Sequence, residues 1–227
     1  YKVRGEVMSC QKCKEVFILE HKSATLHFMS EFDELIKKLE KFMKSLSIAS
    51  SSQEGLCSLE VHDLKVFFSS NIDAMNSYFS DIERESIKLF IQEKDTTFSI
   101  QSILLAKPFQ RFINLLEDKE FFDIVNAESL TSHFQPIVDM RTDTIFGYEA
   151  LVRGVKENGE LMYPDELFSK SKRNDLNFKL DKLCRESALK TAATKKISQK
   201  VFINFIPTSI YDPEFCLAST QKWANQL

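Results

Sequence analysis

The first half of the chain alternates short β-rich runs with one strongly amphipathic helix. VFILE and TLHFM are rich in β-formers, and the polar stretch HKSA between them predicts a hairpin. A period of 3.6 residues then predicts a helix over residues 31–46, with Ser30 as the candidate N-cap. Its apolar face is formed by Phe32, Leu35, Ile36, Leu39, Phe42, Met43 and Leu46. Because the opposite face mixes Glu and Lys, the helix is expected to pack in a core rather than on a membrane.

The chain up to residue 125 continues as a mixture of strands and helices. SIASSSQEG predicts a flexible connection closed by Gly55, and LEVHDLKVFF and SIKLFIQ favour strands with a short helix at 72–78 between them. The apolar segment that follows is mostly helical in pattern, although Pro108 must kink or divide it. Residues 1–125 are therefore predicted to form a small α+β domain.

The pattern of predicted strands and helices changes in residues 126–227, which we interpret as a second domain. FQPIVD and FGYEALVRG are strand candidates separated by the turn-like MRTD, and KVFINFIP has the pattern of a buried strand. Between them, a loop through Asn158 and Gly159 leads to a helix that starts at Pro164 and Asp165, and a longer helix follows. Strands that alternate with helices are typical of a parallel α/β unit, which is the predicted fold class.

Composition and charge narrow the classes of function. The formal net charge of -3 gives no global basic field, so we expect neither a nucleic-acid polymer nor a membrane as a partner. No uninterrupted apolar run approaches the roughly 18 residues that span a bilayer, and the start YKVRGEVMSC has no apolar signal-peptide core. The odd number of cysteines, 5, favours a reducing compartment over a disulfide framework, so we expect a cytoplasmic protein.

Polar residues interrupt the apolar strands of the second domain at Gln135, Glu149 and Asn204, and Arg153 follows shortly after Glu149. If these strands are parallel neighbours, their carboxyl ends lie side by side, which is where α/β barrels place their active sites. Glu and Asn oxygens suit Mg²⁺ or Mn²⁺, and Arg offers a planar fork for a phosphate. Ordinary alternatives stay open: Glu149 and Arg153 could face solvent or pair internally, and Asn204 could hydrogen-bond within a loop.

Three blocks in this order and at these separations, FQPIVD, GYEALVRG and VFINFIPTSIYDPEF, resemble the EAL family of bacterial cyclic di-GMP phosphodiesterases. The resemblance covers about residues 127–227. It implies a modified TIM barrel, present here in part, and hydrolysis of one phosphodiester bond of cyclic di-GMP to give linear pGpG. It also implies a site for two divalent ions, Mg²⁺ or Mn²⁺, which position and deprotonate the attacking water.

The same resemblance implies roles for individual residues of the second domain. Two of them match the family's catalytic metal ligands, Glu149 and Asn204. The others match residues that contact the substrate: Gln135 at the nucleotide, Arg153 at a phosphate, and Leu151 and Pro207 in the lining of the cleft. His133, which lies beside the first block, is interpreted as structural rather than catalytic.

Two functions follow from the resemblance as alternatives. The first is a metal-dependent phosphodiesterase of cyclic di-GMP signalling whose N-terminal domain is sensory or mediates homodimerisation. The second is a non-catalytic EAL-like receptor for the nucleotide or for a protein partner. The family's remaining metal ligands lie on later strands, so we expect the natural protein to continue past Leu227 and this part of it to be inactive alone. The presence of Glu149 and Asn204 favours the enzyme.

The N-terminal CQKC places Cys10 and Cys13 at a spacing that zinc sites use. Two further ligands would complete such a site, and the candidates are Cys57, His21, His27 and His62. A single C-x-x-C is a weak signal, because zinc sites usually show a second matching pair. Two reduced thiols, or a redox couple, are the alternatives.

Overall fold

The computed structural model describes residues 19–94, 96–209 and 216–224, and its contacts divide the chain into two compact units between Glu117 and Asp118. This division lies earlier than the boundary after residue 125 that the sequence pattern suggested, because the helix at Lys119–Asn126 belongs to the C-terminal unit. Both units mix helices with a sheet, which confirms the predicted fold class. Within the described ranges, no helix combines the length and the apolar character needed to cross a bilayer.

The N-terminal unit is built on an antiparallel sheet with the strand order β2–β3–β1–β4–β5. Its strands are β1 (Ala24–Met29), β2 (Ser51–Gln53), β3 (Leu56–Val61), β4 (Lys88–Gln92) and β5 (Lys107–Pro108). Its helices are α1 (Asp33–Ser45), α2 (Leu64–Tyr78), α3 (Asp81–Ser86), α4 (Ile100–Leu105) and α5 (Phe109–Glu117). The helix over α1, the strand β4 and the division of the later helical segment at Pro108 are confirmed predictions.

Two predictions for this unit, one of a hairpin and one of a flexible connection, are wrong. The expected hairpin between VFILE and TLHFM cannot form, because β1 already pairs with β3 along one edge and with β4 along the other; residues 16–18 lie outside the described residues. The serine-rich connection is not simply flexible, since Ser51–Gln53 forms β2 and turns tightly into β3 through Gly55 at φ +68°. Gly55 adopts this left-handed conformation without the steric cost of a Cβ.

Helix starts in the N-terminal unit depend on capping contacts that the pattern of apolar residues did not reveal. Asp63 accepts a hydrogen bond from the Val66 amide at 2.9 Å, so DLKVFF starts α2 instead of continuing a strand. At α1 the N-cap residue is Phe32 rather than Ser30, whose hydroxyl accepts a hydrogen bond from the Phe32 amide at 3.1 Å. A side-chain to backbone bond therefore sets the start of α2, whereas α1 starts at an N-cap residue that makes no such bond.

Interlocking phenylalanines form the core between the sheet and the helices of the N-terminal unit. Phe28 on β1 meets Phe109 edge-on with ring centres 5.3 Å apart, and Phe79 meets Phe109 edge-on at 6.2 Å. Phe42 on α1 in turn packs against Phe79 at 5.2 Å. All four side chains are buried, and edge-to-face pairs add about 0.5–1.5 kcal/mol each beyond the burial of apolar area.

Substitution of Phe28 by Ala is expected to destabilise the N-terminal unit by about 3–5 kcal/mol, because it leaves a cavity at a fully buried position. Ile82→Ala on α3 is the control, since Ile82 is 79% exposed and its loss should change stability by less than about 0.5 kcal/mol. Hydrogen exchange followed by mass spectrometry through a urea series would report each unit separately. Equal protection of β1 in the two variants would contradict this account of the core.

The C-terminal unit has an open sheet rather than a closed barrel over its described residues. Its strands are β6 (Leu130–Asp139), β7 (Thr144–Val155), β8 (Leu161–Met162) and β9 (Lys200–Ile203). Its helices are α6 (Lys119–Asn126), α7 (Pro164–Arg173), α8 (Asn177–Thr194) and α9 (Ala218–Ala224), with a 3₁₀ turn at Pro207–Ser209. β7 is the central strand: β6 pairs along one edge, and β8 and β9 share the other.

Two further predictions are wrong in this unit. β6 is antiparallel to β7, because a turn at residues 140–143 joins them and a parallel connection needs about a dozen residues. Among the strands of the described residues, β9 alone is a parallel neighbour of β7, as expected for a βαβ unit. KVFINFIP is also not buried throughout, since Phe202 and Phe205 are 43% and 54% exposed. The helix start at Pro164 is confirmed, with proline in the first turn of α7.

A buried carboxylate ties α6 to α7. Asp118, which is 0% exposed, accepts hydrogen bonds from Lys170 and Asn174 at 2.9 and 2.8 Å and also from Arg173. Burial by itself would raise the pKa of this carboxyl, but the bonds from Arg173, Lys170 and Asn174 outweigh it and hold the pKa below its usual range. The cluster therefore stabilises the fold only while Asp118 is ionised.

Asp118→Asn is expected to lower the free energy of unfolding at pH 7 by about 1–3 kcal/mol, because it removes the charge that Lys170 and Arg173 share. The pKa of Asp118 in the folded protein lies below its value of about 3.9 in the unfolded chain. The stabilisation is therefore fully present above about pH 4 and is lost as the pH falls through the folded-state pKa. The difference between the two proteins should therefore narrow in urea titrations below about pH 4. Asp123→Asn, which removes the exposed pair with Lys119, should cost less than about 1 kcal/mol.

Candidate functional site

The alternation of side chains along β7 puts Glu149, Leu151 and Arg153 on one face of the sheet. Gln135 on β6 is the direct cross-strand partner of Glu149, so it lies on the same face even though its strand runs in the opposite direction. His133 is the partner of Leu151 on that face and is exposed. Strand register, rather than the alignment of carboxyl ends, brings Gln135 to the site.

Glu149 and Asn204 meet at the end of β9. Glu149 pairs in parallel register with Phe202, and Asn204 lies two residues further along, just past the last residue of the strand. The Asn204 side-chain amide donates a hydrogen bond to Oε1 of Glu149 at 2.7 Å. The structure thus brings together the two residues that sequence analysis assigned to metal binding, and Asn204 bonds to this carboxylate rather than within its own loop.

Chemically, this pair offers part of a coordination shell for a hard cation. A half-turn of the Asn204 amide would present its oxygen beside the Glu149 carboxylate in place of its nitrogen. Mg²⁺ binds one or two protein oxygens of this kind and usually keeps several waters, so the residues fit the ion. Across the described part of the chain, no group of three or more His, Cys, Asp or Glu side chains could hold a metal ion.

The absence of a side chain at Gly147 allows β9 to approach β7 closely. A Cβ built on Gly147 would lie 2.7 Å from the Lys200 carbonyl oxygen and 2.9 Å from the Phe202 ring, which is closer than real Cβ atoms come to their neighbours. Beside this contact, the Lys200 ammonium lies 4.2 Å from the centre of the Phe146 ring. Glycine at 147 therefore permits the pairing that places Asn204 next to Glu149.

Arg153 has one donor that lacks a hydrogen-bond partner. Its Nη1 donates to the Val152 carbonyl at 2.7 Å, and its guanidinium carbon lies 5.0 Å from the centre of the Tyr163 ring. Its Nε is buried and has no hydrogen-bond partner within the described residues. A buried donor without a partner is costly, and an anionic group would satisfy it. Arg153 does not pair with Glu149, so that alternative is excluded.

Sequence analysis did not identify Tyr163, Asp181 or Arg185. Tyr163 immediately precedes Pro164, which with Asp165 was interpreted as the helix start, and Tyr163 itself was given no role. For α8, sequence analysis predicted only a helix and assigned no role to Asp181 or Arg185, yet both are buried. The available signal was their spacing of four residues, which places an acid and a base side by side on one helix face.

The remaining site predictions concern Leu151, Pro207 and the zinc hypothesis. Leu151 lies on the same face as Glu149, and Pro207 begins the 3₁₀ turn after Asn204. Cys10 and Cys13 lie outside the described residues, so zinc stays a prediction. Among the suggested further ligands, Cys57 is buried in the core of the N-terminal unit, where burial raises the pKa of its thiol.

Histidines suggested for zinc have other partners. Both ring nitrogens of His27 are hydrogen-bonded, to Ser58 at 2.8 Å and to Gln92 at 2.6 Å. His21 bonds to the Asp63 carboxylate at 2.9 Å, the same residue that caps α2. A zinc ion at His27 would have to displace one of its two bonds, whereas the bond of His21 involves only Nδ1 and leaves Nε2 for a metal.

Residues 118–226 match the family model described as EAL domain. No curated protein matches the chain. Among solved structures, a standalone EAL protein from Vibrio cholerae O395 in its c-di-GMP bound form is 41% identical over 43% of this chain and 39% of its own, with a TM-score of 0.35. The FimX EAL domain of Xanthomonas citri in complex with c-diGMP is 17% identical over 52% and 46% of the two chains, with a TM-score of 0.42.

A third structure, the calcium and cy-diGMP complex of Klebsiella pneumoniae BlrP1, covers 89% of this chain and 64% of its own at 13% identity and a TM-score of 0.35. The chain thus spans less than half the length of the first two structures. Because none of these TM-scores reaches 0.5, the assignment follows from the family match and not from the structural likenesses. The resemblance predicted from the three sequence blocks is confirmed, because residues 118–226 match the model of the EAL domain family.

Proposed function

We propose that the protein containing this chain is a metal-dependent phosphodiesterase that hydrolyses cyclic di-GMP to linear pGpG. The observation that supports the proposal most directly is the 2.7 Å contact between Asn204 and Glu149 on a strand face that also carries Arg153. The three solved EAL structures are complexes with this nucleotide, which agrees with the proposal. Because the chain spans 39% and 46% of the first two, the reaction is proposed for the complete domain.

Each residue of the face has a distinct part in the proposed reaction. Glu149 and the rotated amide of Asn204 would hold Mg²⁺ or Mn²⁺, and a divalent ion there would lower the pKa of a bound water and polarise the phosphate. Arg153 would bind a non-bridging phosphate oxygen through its guanidinium, with the Tyr163 ring beside the guanidinium to restrict its orientation. Gln135, exposed beside Glu149, would hydrogen-bond to the nucleotide.

Leu151 and Pro207 would supply apolar walls to the nucleotide cleft in this proposal. Leu151 lies between Glu149 and Arg153 on the same face of β7, so a ligand that reached both would pass over it. Pro207 is exposed where the chain turns after Asn204. Apolar contacts of this kind fix the orientation of a ligand whose polar contacts lie at its two ends.

We also propose that the N-terminal unit regulates the phosphodiesterase and supports a homodimer in the cytoplasm. Exposed apolar residues on its helix α4 favour a protein contact there, and these are Ile100, Ile103, Leu104 and Leu105. The described cysteines Cys57, Cys184 and Cys216 are free, which fits a reducing compartment.

Glu149→Ala in the full-length protein is expected to lower hydrolysis of cyclic di-GMP by at least about 100-fold, because it removes the charged ligand of the catalytic cation. Chromatography of pGpG formed with Mg²⁺ or Mn²⁺ would measure the loss, and circular dichroism would verify the fold. Glu157→Gln, an exposed acid just beyond the end of β7, serves as a control that should retain full activity. Undiminished turnover in the Ala variant would refute the metal-ligand role. Tight binding by the wild type without any turnover would instead favour a receptor.

Arg153→Ala is expected to weaken cyclic di-GMP binding by about 10- to 100-fold, which corresponds to one charge-assisted hydrogen bond. Arg153→Lys should recover only part of the affinity, because an ammonium lacks the planar fork. Calorimetric titration with divalent cations chelated would separate this binding from turnover. Arg141→Ala in the β6–β7 turn, where the side chain is exposed and pairs only with Asp139 in the recorded ion pairs, should bind like the wild type. Equal affinities of the Arg153 and Arg141 variants would contradict the phosphate assignment.

A further inference from the structure

Helix α8 contains a buried ion pair that faces the end of β9. Asp181 and Arg185 are 2% and 4% exposed, and the Arg185 guanidinium donates to the Asp181 carboxylate one helical turn away. Removing two charges from water costs several kcal/mol per ion, which their mutual attraction often fails to recover. The ion pair is therefore expected to contribute little to the free energy of folding. Its hydrogen bonds to other parts of the chain indicate its role.

Three further hydrogen bonds of the pair reach the chain that follows β9. The second carboxylate oxygen of Asp181 accepts a hydrogen bond from the Ile206 backbone amide at 2.7 Å. Arg185 donates to the Cys216 carbonyl oxygen at 3.2 Å and to the Thr220 hydroxyl at 3.1 Å. One ion pair on a rigid helix thus holds the backbone immediately after β9 and also the start of the terminal helix α9.

Asn204 lies in the short interval between these two supports. β9 ends at Ile203, so the parallel ladder with β7 holds the backbone only up to the residue before Asn204. Ile206, two residues later, is the next backbone position with a recorded bond, and the bond goes to Asp181. The direction in which the Asn204 side chain leaves the backbone is therefore fixed on one side by β7 and on the other by α8.

We propose that Asp181 and Arg185 are positioning residues that hold Asn204 against Glu149, an inference that rests on the proposed function for its link to metal binding. Asp181 fixes the Ile206 amide, and Arg185 orients the Asp181 carboxylate so that one oxygen faces that amide. Neither side chain touches Glu149 or Asn204 in the recorded bonds. They act on the site through the backbone between Ile206 and Asn204. A displacement of about 1 Å in this segment would move the Asn204 side-chain oxygen away from the Glu149 carboxylate, so that the two could no longer bind one ion.

Four variants of the full-length protein test this inference. Asp181→Ala removes both bonds of the carboxylate, and Asp181→Asn keeps an oxygen that can accept from Ile206. Arg185→Met keeps the length of the side chain but removes its donors. Glu186→Ala is the matched control, because Glu186 is also a buried acid of α8 in a pair four residues apart, with Lys182, and has no recorded bond to the chain after β9.

The first readout is amide hydrogen exchange of the segment that contains Ile206, which does not depend on metal or activity. Asp181→Ala should speed exchange there by about 10- to 100-fold, Asp181→Asn by less, and Glu186→Ala should leave it unchanged. Arg185→Met should also accelerate exchange of this segment, because it leaves the Asp181 carboxylate without its orienting partner. Unchanged exchange in Asp181→Ala, or equal acceleration in Glu186→Ala, would overturn the inference.

The second readout is Mn²⁺ affinity, measured by electron paramagnetic resonance of the free ion. Asp181→Ala should weaken binding by about 10- to 100-fold, the usual effect of losing a residue that orients a metal ligand. The affinity of Asp181→Ala for cyclic di-GMP, measured with divalent cations chelated, depends on Arg153 and should stay within about twofold of the wild-type affinity. If the wild type binds no Mn²⁺ while exchange at Ile206 still responds to Asp181, the proposed function fails and the backbone support stands. If Mn²⁺ affinity is unchanged in Asp181→Ala, the positioning role is overturned.

Discussion

Parallel pairing of β7 with β9 is the constraint on which the candidate site depends. In a strand, successive side chains point to opposite faces, so a shift of one residue in this register would move Asn204 to the face opposite Glu149. The observed register, in which Glu149 pairs with Phe202, keeps both side chains on one face. Gly147 makes the register possible, because any larger residue would collide with the Lys200 carbonyl.

Helix α8 complements the strands, because it packs against β6, β7 and β9. Its buried apolar residues include Leu180, Leu183 and Ala188. Between those residues it carries the Asp181–Arg185 pair, which bonds to the backbone beyond β9. The helix therefore combines packing, which favours the overall fold, with directed hydrogen bonds, which fix one short segment. Packing alone would leave that segment free to move, since non-directional contacts tolerate small displacements.

The sequence predicted those features that follow from local periodicity and from the three EAL blocks. The period of α1, the strands β6 and β7, and the start of α7 at Pro164 are all local signals. The antiparallel direction of β6 was missed, although the four-residue turn before β7 allows no parallel crossover. The hairpin of VFILE with TLHFM failed for a non-local reason, because β3 and β4 occupy both edges of β1.

The same difference between local and non-local signals explains why only some residues of the candidate site were predicted. Glu149, Asn204 and Arg153 are polar residues in apolar strands, and this contrast is visible in a single sequence. Asp181 gives no such contrast, because an acid and a base four residues apart are ordinary on an exposed helix face. Only the tertiary structure shows that this face is buried and that the carboxylate reaches the amide of Ile206.

The separation of charges along β7 is consistent with a ligand that engages both ends of the strand face. Four residues of strand place Glu149 and Arg153 about 13 Å apart along the backbone, farther than the Debye length of about 8 Å at physiological ionic strength. They therefore neither neutralise each other nor form an ion pair. Glu149 instead shares a hydrogen bond with Asn204, while Arg153 keeps a buried donor without a partner. A cation at the first and an anionic group at the second would satisfy both.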